Sequence, residues 1–120
     1  MKILKKDLLD IKVSDTRDEL GQVAADEAAA YINDLLKTQE EINILFAAAH
    51  SQNEFLNALI LHDINWNKVN AFHMDEYIGL KKDAPQRFGN FLHKHIFGKL
   101  SLKSIHYLFD EHITPEDICK

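Results

Sequence analysis

The sequence lacks three features that would each indicate a particular class of protein. It has a single cysteine, Cys119, so no internal disulfide can form, and this favours a reducing cytoplasm. No window of the sequence contains the roughly 18 consecutive apolar residues of a membrane span. The first residues, Met-Lys-Ile-Leu-Lys-Lys-Asp, lack the long apolar segment of a signal peptide. We therefore predict a cytoplasmic protein without membrane contact.

Basic residues are also scarce and scattered. The formal net charge is −5, which argues against nucleic acid as a partner, because a phosphate backbone requires clustered lysine and arginine. The densest basic group is Lys2, Lys5 and Lys6, which we interpret as a solvated start of the chain. With 120 residues, 46% of them apolar and 28% charged, the composition is that of a globular protein. We predict one domain over residues 1–120.

The hydrophobic pattern predicts an alternation of strands and helices. Two segments read as capping boxes, in which a hydroxyl and a carboxylate satisfy free amides at a helix start: Thr16 with Glu19, and Ser51 with Glu54. An almost continuous apolar run over 42–49 indicates a strand buried on both faces, as in a parallel sheet. The predicted strands are 8–13, 42–49, 69–74 and 102–109, and the predicted helices are 16–37, 51–60 and 86–98.

Residues 42–74 form a complete βαβ unit in this prediction. Such a unit has parallel strands and a right-handed crossover, so the carboxyl ends of both strands lie at the same edge of the sheet. We therefore expect the loop His50-Ser51-Gln52 to lie beside Asp75 and Glu76, although the two segments are distant in sequence.

Two adjacent carboxylates, Asp75 and Glu76, follow the strand 69–74 directly. Open α/β sheets bind ligands at the carboxyl ends of their strands, and a carboxylate there can act as a general base on a carbon acid. We expect Asp75 in the pocket and Glu76 pointing away from it, with a structural role. The alternative is a pair of solvated charges in a turn.

Other candidates surround this pair. Ser51 offers a hydroxyl at a helix start, where anions bind, although Glu54 adds a negative charge and the loop has no glycine. The alternative is that Ser51 only caps its own helix. His50 and His73 flank the predicted pocket and are candidates for substrate binding, but packed or surface histidines are commoner. The remaining histidines show no metal-ligand spacing, and no metal is predicted.

The segment from Phe72 to Leu80 reads Phe-His-Met-Asp-Glu-Tyr-Ile-Gly-Leu. It resembles the motif Phe-x-Met-Asp-Glu-Tyr-hydrophobic-Gly-Leu of the glucosamine-6-phosphate deaminases (isomerases). Their broader sugar-phosphate superfamily includes the 6-phosphogluconolactonases. The likeness extends over the alanine-rich first helix and over 44–59, 66–80 and 83–88.

This resemblance implies a Rossmann-like three-layer α/β fold with a mostly parallel sheet. It also implies a cytoplasmic enzyme that opens the ring of glucosamine 6-phosphate, moves a proton between carbons 2 and 1, and releases ammonia to give fructose 6-phosphate. Neither a cofactor nor a catalytic metal is implied. The proton-shuttling aspartate of the family falls on Asp75. The phosphate loop falls on His50, Ser51 and Gln52, and Glu76 and His73 join them as substrate-binding candidates.

Two departures from the family pattern qualify this interpretation. The loop reads Ala-Ala-His-Ser-Gln over 48–52, where the family has glycine with threonine or serine. The ring-opening histidine and the phosphate-binding lysine of the family belong to a second half, while this sequence ends soon after a helix start at Thr114-Pro115. We therefore expect an incomplete, N-terminal version of the domain, inactive alone and associating with a second copy or a complementing half. The alternatives are a non-catalytic phosphosugar-binding or regulatory module and a 6-phosphogluconolactonase.

Overall fold

The computed structural model describes residues 1–120, whose strands form two separate sheets. Short 3₁₀ turns at His50–Gln52, Trp66–Lys68 and Phe97–Lys99 separate some of the regular elements. The elements in chain order are β1 (Lys2–Lys6), β2 (Leu9–Val13), α1 (Arg17–Thr38), β3 (Ile42–Phe46), α2 (Asn53–Leu59), β4 (Val69–His73), α3 (Phe88–His95), β5 (Ser104–His106) and α4 (Pro115–Ile118).

The central sheet is parallel and has the order β3-β4-β5. Its register pairs Ile42 with Val69 at one end and Phe46 with His73 at the other, so β3 and β4 end level with each other. The predicted βαβ unit and its parallel sheet are thus confirmed. The prediction that the strand over 42–49 is buried on both faces is wrong: β3 ends at Phe46, and Leu45 is 63% exposed. Fourteen buried apolar residues form the core: Ala25, Ala29, Ile32, Ile42, Phe46, Leu56, Leu59, Ile64, Trp66, Val69, Ala71, Leu92, Ile96 and Phe97.

The N-terminal segment differs from the prediction. Residues Lys2–Lys6, which we interpreted as a solvated start, form strand β1 and pair antiparallel with β2. The pair Lys6–Leu9 closes a two-residue turn in which Asp7 has a φ of 55°, a backbone conformation that aspartate tolerates better than most residues. Lysine side chains on exposed strand positions remain in water while the backbone completes the hairpin.

Helix α1 begins as the sequence predicts. The Thr16 hydroxyl accepts a hydrogen bond from the Glu19 amide at 3.1 Å, and the Glu19 carboxylate accepts one from the Asp15 amide at 2.8 Å. The helix then packs against α2 at Gly21, which is buried. A Cβ atom at Gly21 would lie 2.6 Å from the Glu54 Cβ and 2.9 Å from the Phe55 amide nitrogen, so only glycine permits this approach.

Replacing Gly21 with alanine should therefore destabilise the protein. Alanine favours a helix by about 1 kcal/mol over glycine, but its methyl group would meet the α2 backbone, and overpacking of this kind costs about 1–3 kcal/mol. We expect a net loss of about 1–2 kcal/mol in the free energy of unfolding, measured by urea denaturation. The neighbouring exposed Gln22, changed to alanine, serves as the control, with an expected change within about 0.5 kcal/mol. A more stable Gly21→Ala protein would contradict the close packing.

The predicted second capping box is wrong. Helix α2 begins at Asn53 after the 3₁₀ turn, and the Ser51 side chain caps no amide there. The Glu54 carboxylate instead accepts hydrogen bonds from Arg17 of α1. The C-terminal prediction is better: the Thr114 hydroxyl accepts from the Asp117 amide at 3.3 Å, and Pro115 opens α4. No helix combines the length and the apolar character that a membrane span requires.

Candidate functional site

Asp75 lies in the loop that follows β4, as the sequence predicts, and its side chain is exposed. It lines a cavity of about 550 Å³ together with the rest of the segment 74–79, the segment 108–110 and residues around α4. Gly79 ends the first segment with a φ of 90°, a conformation that favours glycine. The cavity thus combines a free carboxylate with apolar walls from Leu108, Phe109 and Ile113.

Glu76 has the structural position that we expected for it. Its side chain is only 5% exposed, and its carboxylate accepts hydrogen bonds from the amides of Phe88 at 2.8 Å and Gly89 at 3.0 Å. These are free amides at the start of α3, so Glu76 caps that helix from a distant part of the chain. A third bond comes from the amide of Tyr77 at 3.0 Å.

Arg87 is the buried cation beside Glu76, and we had not singled it out in the sequence. Its Nη2 lies 3.5 Å from the Glu76 Oε2, and its side chain is also 5% exposed. Its Nη1 donates a hydrogen bond to the Lys82 carbonyl at 2.6 Å, and its guanidinium lies 3.7 Å from the centre of the Phe109 ring. Arg87 therefore connects the loop after β4 with the segment after β5.

His73 is buried, at 4% exposure, and both of its ring nitrogens have partners inside the chain. Nδ1 lies 2.9 Å from the Asp75 carbonyl oxygen, and Nε2 lies 2.9 Å from the Leu108 amide nitrogen. Both ring nitrogens of His73 are therefore occupied, as are both carboxylate oxygens of Glu76, which contact three amides and Arg87. Neither residue has a free side-chain polar atom for a substrate in this arrangement. Among the ionisable residues His73, Asp75 and Glu76, only Asp75 has an exposed side chain.

Ser51 and Gln52 lie in a different groove, of about 390 Å³, between α1 and the start of α2. Ser51 is exposed, and its hydroxyl accepts only a long hydrogen bond of 3.5 Å from Gln52. His50 is exposed as well; its ring meets that of Phe91 edge-on, with 5.9 Å between the centroids. His50 lines neither this groove nor the cavity of Asp75.

Arg17 of α1 holds the loop of His50, Ser51 and Gln52 in place, through contacts between residues more than 30 positions apart. Its Nε and Nη2 donate to the two oxygens of Glu54 at 2.8 and 2.7 Å, and Nη2 also donates to the His50 carbonyl at 3.0 Å. These hydrogen bonds lower the pKa of the Glu54 carboxyl below its usual value. The positive charge of Arg17 therefore balances the negative charge of Glu54, which would otherwise repel an anion at Ser51.

The loop with Ser51 and Gln52 and the loop with Asp75 follow neighbouring strands of the sheet, but they line different cavities. Because Phe46 and His73 are paired at the ends of parallel strands, the loops that follow them leave from the same edge. The cavity that contains Asp75 nevertheless includes neither Ser51 nor Gln52, and the groove of Ser51 does not include Asp75.

Curated relatives of this chain are glucosamine-6-phosphate deaminases. The deaminase of Porphyromonas gingivalis (strain W83) is 30% identical over 98 residues, which are 76% of this chain and 37% of the relative. Glucosamine-6-phosphate deaminase 2 of Bacillus subtilis (strain 168) is 33% identical over 60 residues, 48% of this chain and 24% of the relative. No protein-family model matches the chain. The chain thus spans well under half the length of these relatives.

Solved structures share the fold. A monomeric glucosamine-6-phosphate deaminase superposes with a TM-score of 0.70 at 22% identity, over 88% of this chain and 45% of that one. A 6-phosphogluconolactonase from Shewanella baltica superposes with a TM-score of 0.68 at 16% identity, over 80% and 42%. The Rossmann-like α/β fold and the resemblance to this family are both confirmed, over part of the family's length.

Proposed function

We propose that this chain, a relative of the glucosamine-6-phosphate deaminases, carries the proton-transfer part of an amino-sugar-phosphate site, with Asp75 as its base. The observation that carries the proposal is the position of Asp75: an exposed carboxylate directly after a central parallel strand, in a cavity of about 550 Å³. A cavity of this size holds a small ligand such as a sugar phosphate. The likeness to the deaminases selects the reaction.

In this proposal Asp75 takes a proton from carbon 2 of the open-chain amino sugar and returns it to carbon 1. A positioned carboxylate can accept and return a proton in this way without a covalent bond to the substrate. This transfer leaves an imine at carbon 2; water adds to that carbon, and the carbon–nitrogen bond then breaks to release ammonia and give the ketone of fructose 6-phosphate. Glu76 and His73, whose polar atoms have partners within the chain, are proposed to hold the loop that carries Asp75 and not to contact the sugar.

The phosphate end of the substrate is proposed to meet Ser51, with Gln52 and His50 beside it. Two features support this assignment: Ser51 is exposed on a loop that leaves the same sheet edge as Asp75, and Arg17 compensates the charge of Glu54. The loop would then move toward the Asp75 cavity, or substrate would span the edge between them.

Calorimetric titration with glucosamine 6-phosphate tests the phosphate assignment. We expect binding that glucosamine does not show, and an affinity about 10- to 100-fold weaker in Ser51→Ala, because hydrogen bonds to charged groups contribute about 1.5–3 kcal/mol. Ser101→Ala, another exposed serine, is the matched control and should bind like the original protein. Equal affinity of the two variants would remove Ser51 from the site.

A second candidate function is a non-catalytic phosphosugar-binding or regulatory module on the same fold. The separation of Asp75 and Ser51 into two cavities favours it, since catalysis needs both ends of the substrate in register. Binding without ammonia release, even when a second half of the family domain completes the chain, would support the module, and the absence of binding would contradict it. A parallel assay with 6-phosphogluconolactone tests lactonase activity, to which the fold is equally suited.

Cytoplasmic location and self-association stay predictions. Several apolar side chains are exposed, among them Leu8 at 97%, Leu61 at 83% and Leu45 at 63%, and exposed apolar surface favours contact with a second copy or with a complementing half.

A further inference from the structure

The contacts of His73 define the protonation of its ring. The Leu108 amide can only donate, so Nε2, 2.9 Å away, must accept and carries no proton. The Asp75 carbonyl can only accept, so Nδ1, also 2.9 Å away, must carry the proton. Both bonds exist together only in the neutral ring with its proton on Nδ1. A doubly protonated ring would lose the bond from Leu108.

The two partners of His73 belong to two different segments that line the Asp75 cavity. Asp75 is in the segment 74–79 and Leu108 begins the segment 108–110. The backbone ladder between β4 and β5 ends one residue earlier, at the pair Phe72–His106. Beyond that pair, the ring of His73 connects the two segments instead, through its contacts with the Asp75 carbonyl and the Leu108 amide.

We infer that His73 is a positioning residue for Asp75, acting as the neutral Nδ1-protonated ring that fixes the Asp75 carbonyl to the wall formed by Leu108. The catalytic consequence rests on the proposed function; the ring state and the link do not. Holding the carbonyl of Asp75 restricts the backbone that carries its carboxylate. Arg87 provides a second connection between the same segments, through Phe109, but it does not contact Asp75.

Two substitutions separate the bond to Asp75 from the bond to Leu108. In His73→Asn the amide NH₂ is placed near the position of Nδ1 and can still donate to the Asp75 carbonyl. In His73→Gln the amide oxygen is placed near Nε2 and can still accept from Leu108. A histidine that only fills the core would make His73→Asn at least as damaging as His73→Gln, because the smaller side chain leaves the larger cavity. A positioning residue makes His73→Gln the more damaging change at Asp75.

The expected results follow from that difference. With the chain completed by a second half of the family domain, kcat for ammonia release should fall about tenfold or more in His73→Gln, with little change in KM. One misplaced group affects the reacting step rather than binding. In His73→Asn, kcat should stay within about threefold, while the Leu108 amide exchanges about tenfold faster, as expected for the loss of one hydrogen bond. Equal losses of kcat in the two variants, with equal stability to urea, would overturn the proposal.

Nuclear magnetic resonance decides the structural part whether or not the chain turns over substrate. Ring ¹H–¹⁵N spectra should show a single proton, on Nδ1, and the carbonyl ¹³C resonance of Asp75 should move in His73→Gln but not in His73→Asn. A proton on Nε2, or an Asp75 carbonyl that ignores both variants, overturns the inference. If the spectra agree and no ammonia is released, the positioning link stands and the proposed function fails.

Discussion

Asp75→Asn, made in a protein where a second half of the family domain completes this chain, is expected to lower the rate of ammonia release from glucosamine 6-phosphate. The expected loss is about 10²- to 10⁴-fold, the usual contribution of a positioned general base. Asparagine has the same shape and keeps hydrogen-bonding capacity, but its amide cannot accept the proton from carbon 2. Affinity for the sugar phosphate should change by less than about threefold, because this interaction belongs to the transition state rather than to binding.

Solvent deuterium provides a second measurement of the same step. If Asp75 exchanges its proton with water between abstraction and return, fructose 6-phosphate formed in D₂O should carry deuterium at carbon 1, and Asp75→Asn should abolish that label. The control is Asp83→Asn, which changes an exposed carboxylate in the same connecting loop that lines a different cavity. A full rate in Asp75→Asn, or an equal loss in Asp83→Asn, removes Asp75 from the role of base.

Local sequence patterns predicted the parts of the fold that depend on neighbours in the chain. The period of the apolar residues in α1 and the strand before Asp75 reflect burial, so they are readable from the sequence. The continuous run in β3 predicted a strand but not its burial, because Asn43 and Leu45 on one of its faces are exposed. Strand β1 was missed because its lysines dominate the composition, whereas its pairing depends on a partner strand rather than on burial.

The site was harder to predict because long-range contacts decide it. Ser51 and Glu54 have the spacing of a capping box. In the structure, Arg17 binds the Glu54 carboxylate from 37 residues away, and the Ser51 hydroxyl caps no amide of α2. The sequence located Asp75 and the structural role of Glu76. The sequence had no signal for Arg87, because the partners of that residue are brought to it by the fold of the loop after β4 and by the segment after β5.

The Glu76–Arg87 pair should give the largest change in stability. Both side chains are 5% exposed, so removing either partner leaves a buried charge without its counterpart, at a cost of about 3–5 kcal/mol. We expect Glu76→Gln and Arg87→Met each to lose about 3 kcal/mol in the free energy of unfolding, measured by urea denaturation. Asp34→Asn, which breaks the exposed pair with Lys37, is the control and should change stability by less than about 1 kcal/mol.

The double variant tests whether the two residues act as a unit. If they do, Glu76→Gln with Arg87→Met should cost about 1–3 kcal/mol less than the sum of the single changes, since neither charge is then left alone. Arg87→Lys should be almost as unstable as Arg87→Met. A lysine ammonium cannot lie flat on the Phe109 ring while also donating a hydrogen bond to the Lys82 carbonyl. Strict additivity of the two changes, or full stability with lysine, would mean that the α3 amides alone hold Glu76. The loop that carries Asp75 would then be anchored to α3 independently of the contact between Arg87 and Phe109 in the segment after β5.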